Sequence, residues 1–140
     1  MKKKTITTVP ITDQKTPATW KEICKVRGIS EKIPFNVSKL PSATQNYLIS
    51  AYKLPIVIET RNEGWVPDYT DLSQSKYELW PDILADKEHP SGFGLSFDVC
   101  AYWFTSTDVG VRFAFKDLET AKSVFNDFKS DFENFYLKKA

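Results

Sequence analysis

Apolar residues are spaced in two ways along this chain, at helical intervals near both ends and at every second residue between them. Trp20, Ile23 and Cys24 recur at i, i+3 and i+4, which predicts a short helix of about two turns. Either Thr16, before Pro17, or Thr19, with Glu22 three residues on, can start it, and Gly28 supplies a left-handed stop. Residues 29 to 41, with Pro34 and Pro41, read as a connector. Ser42 and Gln45 have capping-box spacing ahead of a second stripe, Ala43, Tyr47, Leu48, Ala51 and Tyr52. Pro55 has no N–H to give Ala51, so a kink or an end is expected there. The run from Pro55 to Glu59 is rich in β-branched residues, yet Arg61-Asn62-Glu63-Gly64 looks like a helix meeting a glycine, and a second helical segment is the preferred reading.

Strict alternation begins at Phe93. Phe93, Leu95, Phe97, Val99, Ala101 and Trp103 share one face, and Val109, Val111, Phe113 and Phe115 repeat the pattern after Phe104 to Asp108. Two such runs predict an antiparallel hairpin with Val99 opposite Phe113 and Phe97 opposite Phe115, and with Cys100 opposite Arg112 on the polar face. Ser75 to Trp80 predicts a preceding strand that Pro81 ends or confines to an edge. Asp117 caps a final stripe, Leu118, Ala121, Phe125, Phe128, Phe132 and Phe135, widened by Val124 and Tyr136, which predicts one helix of about five turns. The resulting architecture is α+β: N-terminal helices, a two- to three-stranded antiparallel β-meander, and a long C-terminal amphipathic helix packed on the sheet. Residues 1–15 are expected to be a flexible tail and 16–140 a single domain.

Composition narrows the function classes. With 140 residues, 41% hydrophobic and 26% charged, the chain can bury a core without a disulfide or metal staple, and intrinsic disorder is excluded. No apolar run approaches membrane-spanning length, and the lysines after Met1 lack the apolar stretch of a secretory signal. Two cysteines without metal-ligand spacing predict free thiols in an intracellular setting. The net charge of +1 conceals an asymmetry: without Lys2, Lys3, Lys4, Lys138 and Lys139, 14 basic residues face 18 acidic ones. That body disfavours duplex nucleic acid, whose ligands normally present a basic stripe.

Candidate chemistry is sparse. His89 sits in a polar turn with no nucleophile placed beside it, and Cys24 lies on an apolar helix face. Asp68 and Asp71, or Asp82, Asp86 and Glu88, match no calcium loop, and no phosphate loop or hydrolase motif occurs. No catalytic residue, metal ligand or cofactor is therefore assigned. The unusual segment runs from Asn62 to Trp80, where Trp65, Asp68, Tyr69, Lys76, Tyr77 and Trp80 gather; with Tyr102 and Arg112 of the hairpin they are the candidate binding residues. Such aromatics can stack on a base, a sugar or a proline-rich peptide, or can simply cover one end of the core.

In Asn62-Glu63-Gly64-Trp65, Pro67-Asp68, Lys76-Tyr77, Trp80, Ser91-Gly92-Phe93-Gly94, Tyr102-Trp103 and Val109-Gly110 with Arg112, the chain resembles a family of small proteins from gut Bacteroidetes and their phages and prophages that has no agreed activity. The similarity reaches upstream through Leu40-Pro41 and Tyr52-Lys53-Leu54. Where family members often carry Trp, this chain has Tyr69, and Glu78-Leu79 replaces an aromatic pair. The resemblance implies a phage or mobile-element accessory protein in the cytoplasm of a bacterial host. The leading expectation is a non-enzymatic module that holds a protein partner, with no membrane involvement. The alternatives are an accessory factor stacking single-stranded nucleic acid on Trp65, Tyr69, Tyr77 and Trp80, and a carboxylate- or metal-dependent enzyme using Asp68, Asp71 or Asp82.

Overall fold

A computed structural model describes residues 15–71, 73–82, 96–102 and 113–137, with the backbone alone for 80–82 and 96–102. The tail at 1–14, His89, the Ser91 to Gly94 turn and Arg112 lie outside the described residues, as do the side chains of Trp80, Asp82, Cys100 and Tyr102. The described elements form an α+β arrangement of four helices and a small antiparallel sheet. Among them no helix is long and apolar enough to cross a membrane.

Helix α1 (Trp20–Arg27) starts at Thr19 rather than Thr16. The Thr19 hydroxyl accepts from Glu22 N, and the Glu22 carboxylate accepts from Thr19 N at 3.0 Å, satisfying two donors that a helix start leaves open. Gly28, at φ 64°, ends it, with Ile29 N donating to Cys24 O at 3.0 Å. Helix α2 (Ser42–Arg61) runs straight through Pro55. A proline inside a helix costs about 3 kcal/mol. Leu54, Val57 and Ile58, all buried on the face beside it, each contribute roughly 1.5–3 kcal/mol, so packing overrides the breaker. The expected Ser42 capping box does not form: Pro41 is the cap, and Gln45 Nε2 donates to Leu40 O instead. The buried face also differs from the stripe read in the sequence, since Ser50, Leu54, Val57, Ile58 and Arg61 point inward while Tyr47 is exposed.

The sheet corrects the expected hairpin. Strands β1 (Tyr77–Asp82), β2 (Ser96–Tyr102) and β3 (Ala114–Phe115) lie in the order β2-β1-β3, so among the described residues β1 lies between the parts of the two runs that alternation would have paired. Val99 lies opposite Trp80 and Phe115 opposite Tyr77. Period-two alternation reports which face is buried but not which neighbour supplies the hydrogen bonds, and β1 offers both of its edges. Pro81 is accommodated by a break in register between Trp80 and Pro81, on a stretch of β1 that lies beyond the β3 pairing at Tyr77 and Glu78.

The final stripe is also divided. Helices α3 (Leu118–Asp127) and α4 (Lys129–Tyr136) meet at Phe128, whose φ of −120° interrupts the helix. Asp117 caps α3 as expected, accepting from Thr120 N at 2.7 Å. The break turns one apolar stripe onto two surfaces: α3 packs over the sheet and α4 along α2. Phe115, Phe125, Phe128 and Phe132 then close a core with Ile23, Leu54, Ile58 and Leu79.

Two residues at the end of α2 tie these layers together. Arg61, with its side chain 3% exposed, donates to Pro17 O at 2.8 Å, to Asp127 Oδ2 at 2.7 Å and to the Ser123 hydroxyl. Asn62, also buried, donates from Nδ2 to Ala114 O at 2.8 Å and accepts Lys116 N on Oδ1 at 3.1 Å. Its amide thus satisfies the edge of β3 as a neighbouring strand would. Replacing Arg61 leaves Asp127, Ser123 and a backbone carbonyl short of a donor, and hydrogen bonds to a charged group are worth roughly 1.5–3 kcal/mol, less here because Asp127 is 30% exposed. Urea denaturation of Arg61→Ala should show that loss, with Arg61→Lys recovering only part of it because one ammonium cannot span the three acceptors. Glu78 on β1 predicts an opposite sign. Burial pushes its carboxyl above the usual range, so the folded state favours the protonated form, and stability falls as pH rises from the ordinary glutamate value through the raised one. Glu78→Gln should therefore raise the urea midpoint at neutral pH, and the gain should vanish below the ordinary glutamate pKa.

Candidate functional site

The end of α2 leads directly into the segment that the sequence singles out. Glu63 and Gly64 take left-handed φ values of 53° and 85°, and Trp65 N donates back to Asn62 O at 2.9 Å. The glycine meets no steric cost there, and the Glu63 carboxylate is held by Lys116 Nζ at 2.6 Å. Beyond the turn exposure alternates: Trp65, Pro67 and Tyr69 are half-buried while Val66, Asp68 and Thr70 are exposed.

This segment and α2 line a cleft of about 580 Å³, within the size range of ligand sites. Pro55, Ile58, Glu59 and Asn62, spaced as one helical stripe, form its α2 wall. Trp65, Val66, Pro67 and Tyr69 form the opposite wall, Ala114 of β3 contributes to its lining, and Arg27 reaches it from α1. The charged lining residues are Arg27 and Glu59, paired at 3.1 Å across a solvent-exposed contact, so most of the surface offered is apolar or aromatic.

The far part of the loop is self-supporting. Gln74 closes it, accepting Asp68 N on Oε1 at 2.6 Å and donating to Val66 O at 3.3 Å. Asp68 Oδ1 accepts from the amide and hydroxyl of Thr70, and Asp71 Oδ1 accepts from those of Ser73. These are two consecutive Asp-x-Thr/Ser turns. The Thr70 hydroxyl and amide hold the Asp68 carboxyl below the usual aspartate range, and Ser73 does the same for Asp71. Lys76 Nζ donates to Asp71 O at 2.9 Å and Gln74 O at 3.0 Å, and lies 5.8 Å from the Tyr69 ring centroid.

Of the candidate binding residues, Trp65 and Tyr69 share the cleft, with Asp68 on the same loop and Lys76 against Tyr69. Tyr77 is elsewhere: it pairs through its backbone with Tyr102 and Phe115 and packs at the margin of the core. The sequence reading missed the α2 wall. Its signal was present in the spacing of Pro55, Ile58, Glu59 and Asn62 on the helical segment the sequence favours, but that face was not read as a wall. The buried Cys24 thiol is pushed up by desolvation, the reverse of an activated nucleophile. Among the described residues no group of three or more His, Cys, Asp or Glu is placed to hold a metal ion.

Compared with known proteins, the chain matches no family model, no curated protein and no solved structure.

The tandem turns carry a direct expectation. Because both aspartate pKa values are lowered, the turn bonds are strongest above the ordinary aspartate pKa and weaken as pH falls through the lowered values. Carboxyl-carbon NMR titration should find Asp68 and Asp71 below ordinary aspartates, with Thr70→Ala and Ser73→Ala each returning its own aspartate towards the usual value.

Proposed function

We propose that this chain is a non-enzymatic protein-interaction module, an accessory protein of phage or mobile-element origin, that holds a partner protein in the cleft between α2 and the loop from Gly64 to Tyr69. The observation that carries the reading is the composition of that cleft. Trp65, Pro67 and Tyr69 stand against Pro55 and Ile58 with Val66, 72% exposed, beside them. Apolar side chains left open to solvent next to a concave surface favour association, and aromatic rings supply large contact areas at low entropic cost. The lining offers a neutralised ion pair and backbone groups rather than a paired acid and base, which supports holding over chemistry.

Origin in a phage or mobile element is carried by the resemblance through Asn62 to Asp68 and Lys76-Tyr77. The single-stranded nucleic-acid reading gains nothing from the cleft: Arg27 is paired with Glu59, and Lys76 is committed to two carbonyls.

The test combines Trp65→Ala with Val66→Asp. Partners retained from a bacterial host lysate by the parent chain should be lost to the double variant, while its circular dichroism spectrum is unchanged and its unfolding free energy from urea denaturation stays within about 1 kcal/mol of the parent. The same partners held by both proteins would overturn the site, and retention of oligonucleotide in place of protein would overturn the function.

A further inference from the structure

We propose that the cleft takes an extended, proline-bearing peptide segment with a basic flank, and that the Trp65 indole N–H donates to one of its backbone carbonyls. This rests on the interaction-module reading and names the chemistry of its ligand.

The argument begins with the shape of the loop wall. Trp65, Pro67 and Tyr69 are half-buried in alternation with exposed Val66 and Asp68, and their three rings line the cleft together with Pro55 of the α2 wall. A polyproline II segment suits such a surface. It has three residues per turn and no internal hydrogen bonds, its carbonyls all remain open, and little entropy is lost when it docks.

The second observation is a donor. Among the described residues the Trp65 indole N–H makes no hydrogen bond, and it is not sealed from solvent. The neighbouring donors are engaged: the Asn62 amide on Ala114 O, Lys76 on Asp71 O and Gln74 O, Arg27 on Glu59. An indole N–H donates and never accepts, so a ligand carbonyl matches it and a ligand amide does not.

Charge selects the flank. Glu59 is already paired with Arg27, whereas Asp68 and Asp71 are exposed on the same loop as Tyr69 and, among the described residues, face no cation in an ion pair. Basic side chains next to the proline stretch meet these carboxylates, whereas a phosphate backbone is repelled by them.

The probe is a synthetic peptide of two lysines followed by a run of prolines, titrated into the full chain and followed through the tryptophan indole N–H resonances by NMR. Trp65→Phe identifies the Trp65 signal and removes the donor while keeping a ring. The expected result is a saturable shift of the Trp65 indole. Calorimetry should show binding to Trp65→Phe weakened roughly three- to tenfold, the worth of one hydrogen bond. A peptide with two glutamates in place of the lysines should bind more weakly at low salt. Asp68→Asn with Asp71→Asn should narrow that difference, because the amide oxygens keep both turns while the charges are lost. No shift at millimolar peptide, an equal shift from a Gly-Ser peptide of the same length, or equal affinities for the lysine and glutamate peptides would overturn the proposal. If the proline peptide fails while lysate partners still depend on Trp65 and Val66, the ligand assignment alone falls. If an oligothymidine shifts the Trp65 indole and no peptide does, the interaction-module reading falls with it.

Discussion

The fold depends on the buried pair Arg61 and Asn62 at the last turn of α2. Arg61 spends its guanidinium on the backbone ahead of α1 and on two side chains of α3, while Asn62 clamps Ala114 and Lys116. A helix terminus, a second helix, a connector and a sheet edge therefore meet at two consecutive residues. Burying a guanidinium is costly unless its donors are used, and the neighbours here supply three acceptors. That requirement fixes how α3 and β3 sit on α2 more tightly than apolar contact could, since apolar contact has no direction.

The cleft inherits this geometry. Asn62 is both a clamp of β3 and a lining residue, so the α2 wall and the Ala114 position are held by one side chain. The loop wall is held separately, through Gln74, Lys76 and the two aspartate turns. Both walls are thus braced by polar side chains: Asn62 within the lining, and Gln74 and Lys76 on the loop. For the proposed peptide ligand, preorganisation of this kind lowers the ordering cost of binding.

Local chemistry was legible in the sequence where the responsible residues are neighbours. Thr19 with Glu22, Gly28 and Asp117 each act within about one turn, and each does what its position predicts. The reading failed where the deciding partner is distant. Nothing between Phe93 and Phe115 shows that β1 will lie between the two alternating runs, because alternation encodes burial and not pairing. The Phe128 break has neither proline nor glycine to announce it, and its effect is to serve two surfaces, the sheet and α2.

The candidate site divides in the same way. By itself the sequence determined that Trp65, Asp68, Tyr69 and Lys76 would be close together, since they lie on one short loop, whereas the turns at Asp68 and Asp71 were not read from it. Only the tertiary structure decided that Trp65 and Tyr69 face Pro55, Ile58 and Glu59 across a cleft, and that Tyr77 belongs to the core margin. The physical reason is the range of the interactions. Caps, turns and face periodicity are settled over a few residues by backbone geometry, whereas a cleft is the space left when separately anchored elements meet, here α2 with β3 through Asn62 and the loop through Gln74 and Lys76.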